Sequence, residues 1–152
     1  MKNKFKFILI FLFLASLFTS CKKQAEQPEL ISAAIEIQYQ NVDGIAGNPV
    51  DALLINNSEY CIKFDLADGL NIFVGQNEKW IEIPNLVEFL GDSVLILQPK
   101  GNLSSRGSVN LRPDMANLVI KSPTEAYALL TGYLCDDDNI QIQKKIPFTI
   151  NP

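Results

Sequence analysis

The sequence predicts an all-β domain, an antiparallel sandwich of about seven to nine strands, following a cleaved leader and a short polar tether. Two observations carry this. The first is a period of two in the apolar residues. Ile35, Ile37 and Tyr39 alternate with Glu36, Gln38 and Gln40, and Ile140, Ile142, Ile146, Phe148 and Ile150 share one parity opposite Gln141, Gln143, Lys145 and Thr149. A half-buried strand produces this alternation and a helix does not. The second is a series of turn clusters that separate short strand candidates, as in sandwiches. Asp43-Gly44, Gly47-Asn48-Pro49, Asn56-Asn57-Ser58, Asp68-Gly69, Pro99-Lys100-Gly101-Asn102, Arg112-Pro113-Asp114 and the run 136–139 punctuate the chain.

The first element is the leader, residues 1–20. Lys2, Lys4 and Lys6 precede the apolar run 7–18, and no acidic residue interrupts them. That run is too short to span a hydrocarbon core, which takes about 20 residues. A basic start followed by a short apolar run reads as a secretory signal, removed from the mature protein.

The leader ends in Phe18-Thr19-Ser20-Cys21. This resembles the lipobox of bacterial lipoproteins, with Phe18 a departure from the usual Leu. The resemblance implies cleavage between Ser20 and Cys21, diacylation of the Cys21 thiol and acylation of the new amino terminus. One acyl chain anchors marginally and two or more hold firmly. Lys22, where an Asp would signal retention, implies onward export to the outer membrane, with the leaflet left open. Residues 21–31 are polar at first and contain Pro28, so they read as a flexible lipid-anchored tether.

The domain then spans 32–152. After the first strand, candidates lie at 50–56, 60–64, 70–74, 79–83, 93–98, 108–111, 118–121 and 127–134, before the strand that ends the chain. In that last strand Lys144 alone breaks the alternation. Ser122-Pro123-Thr124-Glu125 carries a helix-start signature, so a single helical turn is expected over 123–126 before the strand from Tyr127. Gly132 argues against a longer helix there.

Asn56-Asn57-Ser58 ending an early strand, Trp80 in mid-chain and Glu125-Ala126-Tyr127 opening a late strand resemble immunoglobulin-like or fibronectin-III-like sandwiches. The resemblance implies a core Trp80, a tyrosine-corner role for Tyr127, and a binding, adhesion or spacer module. Leu129 stands where antibody-type domains place their second cysteine, so their inter-sheet disulfide is absent.

Composition narrows the chemistry. The 152 residues include no histidine, which excludes Ser-His-Asp and Cys-His catalysis and imidazole-dependent metal sites. Losing the leader's three lysines moves the formal balance from −4 to −7, with 17 acidic residues against 10 basic ones. Such a domain is repelled by anionic membrane surfaces and is no candidate for nucleic acid. Besides Cys21, only Cys61 and Cys135 remain. An oxidising compartment permits a bond between them, and both a disulfide and two free thiols stay open.

Few residues suggest a site. Gly91-Asp92-Ser93-Val94 resembles the GDSL hydrolase block, but that family needs a histidine, so a turn into a strand is expected. Asp92-Ser93-Val94 also resembles the Asp-Ser/Thr-apolar O-glycosylation site of some bacterial envelopes, which makes Ser93 a candidate for modification. Asp136-Asp137-Asp138-Asn139 offers oxygen ligands for calcium but lacks the EF-hand pattern, so a solvated hairpin turn is expected. Trp80 and Tyr133 offer a stacking platform, against the expectation that Trp80 packs between the sheets. The stretch 99–107 reads as a mobile loop or a binding rim.

No catalytic residue, metal site or cofactor is expected. The expected function is a non-catalytic binding or structural accessory module of the cell envelope, held to the membrane by its lipid anchor, with an envelope protein or a glycan as partner. A small carboxylate-based hydrolase and a surface inhibitor of secreted enzymes are the alternatives.

Overall fold

The computed structural model describes residues 27–41, 49–87 and 93–152. The leader, the Ser20–Cys21 cleavage site, Cys21 and Asp92 lie outside them. A short helix, α1 (Pro28–Ala33), precedes nine strands: β1 (Ile35–Asn41), β2 (Val50–Asn56), β3 (Ile62–Asp65), β4 (Leu70–Gln76), β5 (Lys79–Ile83), β6 (Val94–Leu97), β7 (Arg106–Leu111), β8 (Thr124–Leu134) and β9 (Asp137–Ile150). They form an all-β sandwich of two antiparallel sheets. The smaller has the order β1-β2-β7.

The larger, six-stranded sheet is built around β8. One edge of β8 pairs with β9 from Thr124↔Ile150 to Leu134↔Asp137. Its other edge is shared, with β4 beside Ala126–Leu130 and β3 beside Gly132–Leu134. β5 lies outside β4, and β6 lies outside β3. β3 and β4 are thus two halves of one line, interrupted by residues 65–69. Gly69 N–H donates to the Asp65 carbonyl and Thr131 N–H to that of Gly69, which closes the interruption.

Alternation places one parity of β8 inward. Ala126, Ala128, Leu130 and Leu134 are buried, together with Ile142, Ile146, Phe148 and Ile150 of β9 and Leu70, Ile72 and Val74 of β4. Ala52, Leu54, Val109 and Leu111 of the smaller sheet meet them. Each large apolar side chain buried here contributes roughly 1.5–3 kcal/mol. Gly132 is fixed by space. A Cβ there would lie 2.3 Å from the Lys63 carbonyl oxygen and 2.5 Å from a ring carbon of Phe64, itself wholly buried.

The two sheets are tied at one end by a buried amide. Asn56, at the end of β2, is fully inaccessible. Its Nδ2 donates to the carbonyls of Tyr60, Leu97 and Gln98 at 2.7, 3.2 and 3.0 Å. Its Oδ1 accepts from the Ser58 N–H and hydroxyl at 3.0 and 2.7 Å. One side chain from the smaller sheet therefore holds the entrance to β3 and the exit of β6. Cys61 and Cys135 form a disulfide close by, with Cα atoms 5.3 Å apart. It pins the start of β3 to the β8–β9 turn, where Cys135 N–H also donates to the Cys61 carbonyl.

Several sequence expectations are corrected. Part of the expected tether is folded. Pro28 sits in the first turn of α1, and Ile31 is wholly buried. Pro28–Ala33 thus belongs to the packed structure, because Ile31 fills the open β1/β9 side of the core. Residues 118–121 belong to no strand. Leu118 and Ile120 pack against the core without a ladder, while Val119 is exposed. No helical turn forms at 123–126, since pairing with β9 begins at Thr124 and outweighs the local capping signal.

Lys144 shares the inward parity of β9 for a reason. Its ammonium donates to the Ser32 carbonyl at 3.0 Å, near the end of α1. A cation there is favoured by the helix dipole. Partial burial pushes its pKa below the usual lysine value.

Two outcomes are expected in chemical denaturation. Asn56→Ala leaves buried carbonyls and the Ser58 donors without their partner, and lowers the unfolding free energy by about 3 kcal/mol. Replacing Cys61 and Cys135 together by Ala releases a cross-link of sequence separation 74, and lowers it by about 2–4 kcal/mol.

Candidate functional site

The outward parity of β8 reads Glu125, Tyr127, Leu129, Thr131, Tyr133. Register sets Tyr127 between Phe73 of β4 and Pro147 of β9. The Phe73 and Tyr127 rings stack at 5.0 Å and 21°. Trp80 of β5 stands edge-on to Tyr127, at 4.8 Å and 71°. These geometries are the offset and T-shaped arrangements that aromatic quadrupoles favour.

Trp80 is placed by its cross-strand partner. It pairs with Gly75, which has no side chain to lift the indole off the sheet. A Cβ built on Gly75 would sit 3.5 Å from Cζ3 of Trp80. The indole therefore leans over β4 while the residue remains 48% exposed. Lys145 of β9 reaches across the same face. Its Nζ lies 3.8 Å from the Tyr127 ring centroid and 5.4 Å from that of Trp80. Both are cation–π distances. Among the described residues no carboxylate forms an ion pair with Lys145.

Two clefts flank this cluster. One, of about 480 Å³, is lined by Tyr39, Tyr127, Lys145 and Thr149, among others. The other, of about 410 Å³, is lined by Gln76, Glu78, Lys79 and Thr124, among others. Trp80 and Glu125 line both, so the indole stands where they meet. The Tyr39 hydroxyl donates to the Pro147 carbonyl at the border of the larger cleft. Burial pushes its pKa up.

This arrangement revises the expected places of three residues. Trp80 does not pack between the sheets. It shares its parity with Glu82 on a strand at the sheet edge, whereas Ile83 of the opposite parity is buried. Tyr127 has no corner role, because its ring belongs to the outer aromatic cluster. The stacking partner of Trp80 is Tyr127 and not Tyr133. Tyr133 lies six residues further along β8, about 20 Å away at strand rise, opposite Lys63 and Gln141. Tyr127 and Phe73 were missed as site residues. Their adjacency depends on the register across the 65–69 interruption, although their shared outward parity is visible in each strand.

The remaining candidates lie apart. Ser93 is partly buried, and its hydroxyl donates to Asp65 Oδ1 at 3.1 Å. The acidic turn does not converge on one point. Asp138 pairs with Lys63 Nζ at 2.5 Å, and Asp137 accepts from the Asn139 N–H and side-chain amide. Among the described residues no group of three or more His, Cys, Asp or Glu is placed to hold a metal. The 99–105 segment is internally hydrogen-bonded, through Gln98 to Ser104, Asn102 to Pro99 and Ser105 to Asn102. Leu103 projects fully into solvent. No protein-family model matches the chain, and neither does any curated protein.

Asp65 sets a pH dependence at the β3–β4 interruption. The Ala67 and Asp68 N–H groups, and then the Ser93 hydroxyl, hold its carboxyl below the ordinary value of 3.8. A depressed folded value means stabilisation that is full above the unfolded value and lost as pH falls through the folded one. Stability measured by thermal unfolding should therefore decline as pH drops below about 4. Asp65→Asn should make that decline shallower.

Proposed function

We propose that this protein is a lipid-anchored lipoprotein of the cell envelope whose sandwich acts as a non-catalytic binding module. The binding half of this reading rests on one observation: the chain's single tryptophan is half-exposed on a sheet face, braced by Gly75, Tyr127 and Lys145. An exposed aromatic residue held in a fixed place between two clefts is a feature of recognition surfaces. It contributes little to a core.

The anchoring half rests on the leader and on Phe18-Thr19-Ser20-Cys21. Acyl chains on Cys21 supply the attachment that an acidic domain does not find on anionic lipid. The Cys61–Cys135 bond accords with an oxidising compartment. Lys22 favours the outer membrane, and an envelope protein or glycan is the partner class.

A carboxylate-based hydrolase is the second reading, and one observation favours it. Glu78 and Glu125 line the same cleft, and paired carboxylates can cleave glycosidic bonds without histidine. Incubation with oligosaccharides separates the two, since a binding module leaves their chain length unchanged.

Metabolic labelling with a fatty-acid analogue tests the anchor. The wild-type protein takes up label and sediments with membranes, and Cys21→Ala does neither. Equal labelling of Cys21→Ala would overturn the lipoprotein reading.

A further inference from the structure

The Trp80 face carries a more specific assignment, which rests on the binding-module reading. We propose that it binds a neutral oligosaccharide chain laid across Trp80, with one sugar unit in each flanking cleft.

Three observations select this ligand class. The first is an exposed ring face set among hydrogen-bonding groups. Trp80, braced edge-on by Tyr127, stands beside Glu125, Lys145, Thr124 and Thr149 in the two clefts. The C–H-rich face of a pyranose packs on an aromatic ring, because its slightly positive hydrogens meet the negative π face. Its hydroxyls both donate and accept, so Glu125 can accept from one while Lys145 donates to another. An apolar protein surface would instead strip water from these charges without replacing their hydrogen bonds.

The second is that the cation site is already filled. Exposed aromatic faces can hold a quaternary or methylated ammonium. Here the Lys145 ammonium occupies the Tyr127 face at 3.8 Å and leans toward Trp80. A ligand cation would meet this fixed positive charge. A polyanion would meet Glu78 and Glu125, which balance Lys79 and Lys145, and a mature chain with a formal balance of −7. Local charge thus favours neither sign and suits a neutral, hydroxyl-rich partner.

The third is extent. The clefts measure about 410 and 480 Å³ and meet at Trp80 and Glu125. Both are open to solvent, so a ligand would be laid across them rather than enclosed. Two such sites joined at one indole suit a chain longer than a single sugar.

Because Trp80 is the only tryptophan, fluorescence excited at wavelengths that tyrosine does not absorb reports this site alone. The test uses the full-length expressed protein, purified from whichever cell fraction holds it. It is titrated with hexamers of β-1,4-glucose, β-1,4-xylose, β-1,4-mannose, α-1,4-glucose and β-1,4-N-acetylglucosamine, with oligogalacturonate as the acidic control. Calorimetry runs in parallel. At least one neutral hexamer gives a saturable shift in Trp80 emission, and the matching disaccharide binds at least tenfold more weakly. Tyr127→Ala weakens the hexamer at least tenfold, as does Trp80→Ala by calorimetry. Tyr133→Ala, at the far end of β8, binds as the wild type does, and circular dichroism shows every variant folded.

No saturable response to any neutral hexamer overturns the proposal. Unchanged binding by Trp80→Ala does so too, as does binding of the acidic control alone. A photocrosslinker near Trp80 that captures an envelope protein, with no response to any sugar, overturns the ligand class while the binding-module reading stands. The anchor is judged separately, by the fraction from which the protein is recovered.

Discussion

The structure depends on β8 being paired along both edges. It lies against β9 over its whole length and against β4 and β3 in succession on the other side. With both edges fixed, its alternation cannot slip, because a shift by one residue would exchange its two faces. Ala126, Ala128, Leu130 and Leu134 are then committed to the core, and Glu125, Tyr127 and Tyr133 to the outside. One register decision thereby builds the core on one face and the aromatic cluster on the other. Small residues at 126, 128 and 132 also let neighbouring groups approach, as Phe64 does over Gly132.

The sandwich is closed by different means at its two open sides. Asn56 joins the sheets where β2 ends, through five hydrogen bonds to a side chain that water does not reach. A buried amide stabilises only when its donors and acceptors are met, and those of Asn56 are. On the β1/β9 side the closure is apolar and cationic. Ile31 enters the core, Ser32 reaches the Gln143 carbonyl, and Lys144 reaches back to Ser32. Neither closure is a ladder, so neither follows from strand propensity.

That difference explains what was legible in the sequence. Strand alternation indicated the fold class and located all nine strands to within a few residues, with one further strand expected at 118–121 that does not form. Contacts between distant segments were not legible. The six-residue α1 is too short for a helical period, although Pro28 and Glu29 mark its first turn. The expected strand at 118–121 has the right alternation but joins no ladder, and only Leu118 and Ile120 pack on the core. Trp80 was misplaced because tryptophan is usually an interior residue. Its own strand said otherwise, since Lys-Trp-Ile-Glu-Ile sets it on the side of Glu82. The pairing of Phe73 with Tyr127 required the length of the 65–69 interruption, which alternation does not supply.

The proposed binding site lies on the face that the core does not use. Phe73, Trp80 and Tyr127 stay outside because the opposite parity of their strands is buried, and Lys145 is carried to them by β9. The central claim is that β8, locked on both edges, holds core and site together. Native-state amide hydrogen exchange tests it most directly. Amides of Ala126–Leu130, paired on β4 and β9, should exchange only through global unfolding, with an opening free energy equal to the stability measured by denaturant. Exchange of those amides as rapid as in the 99–105 loop would contradict it.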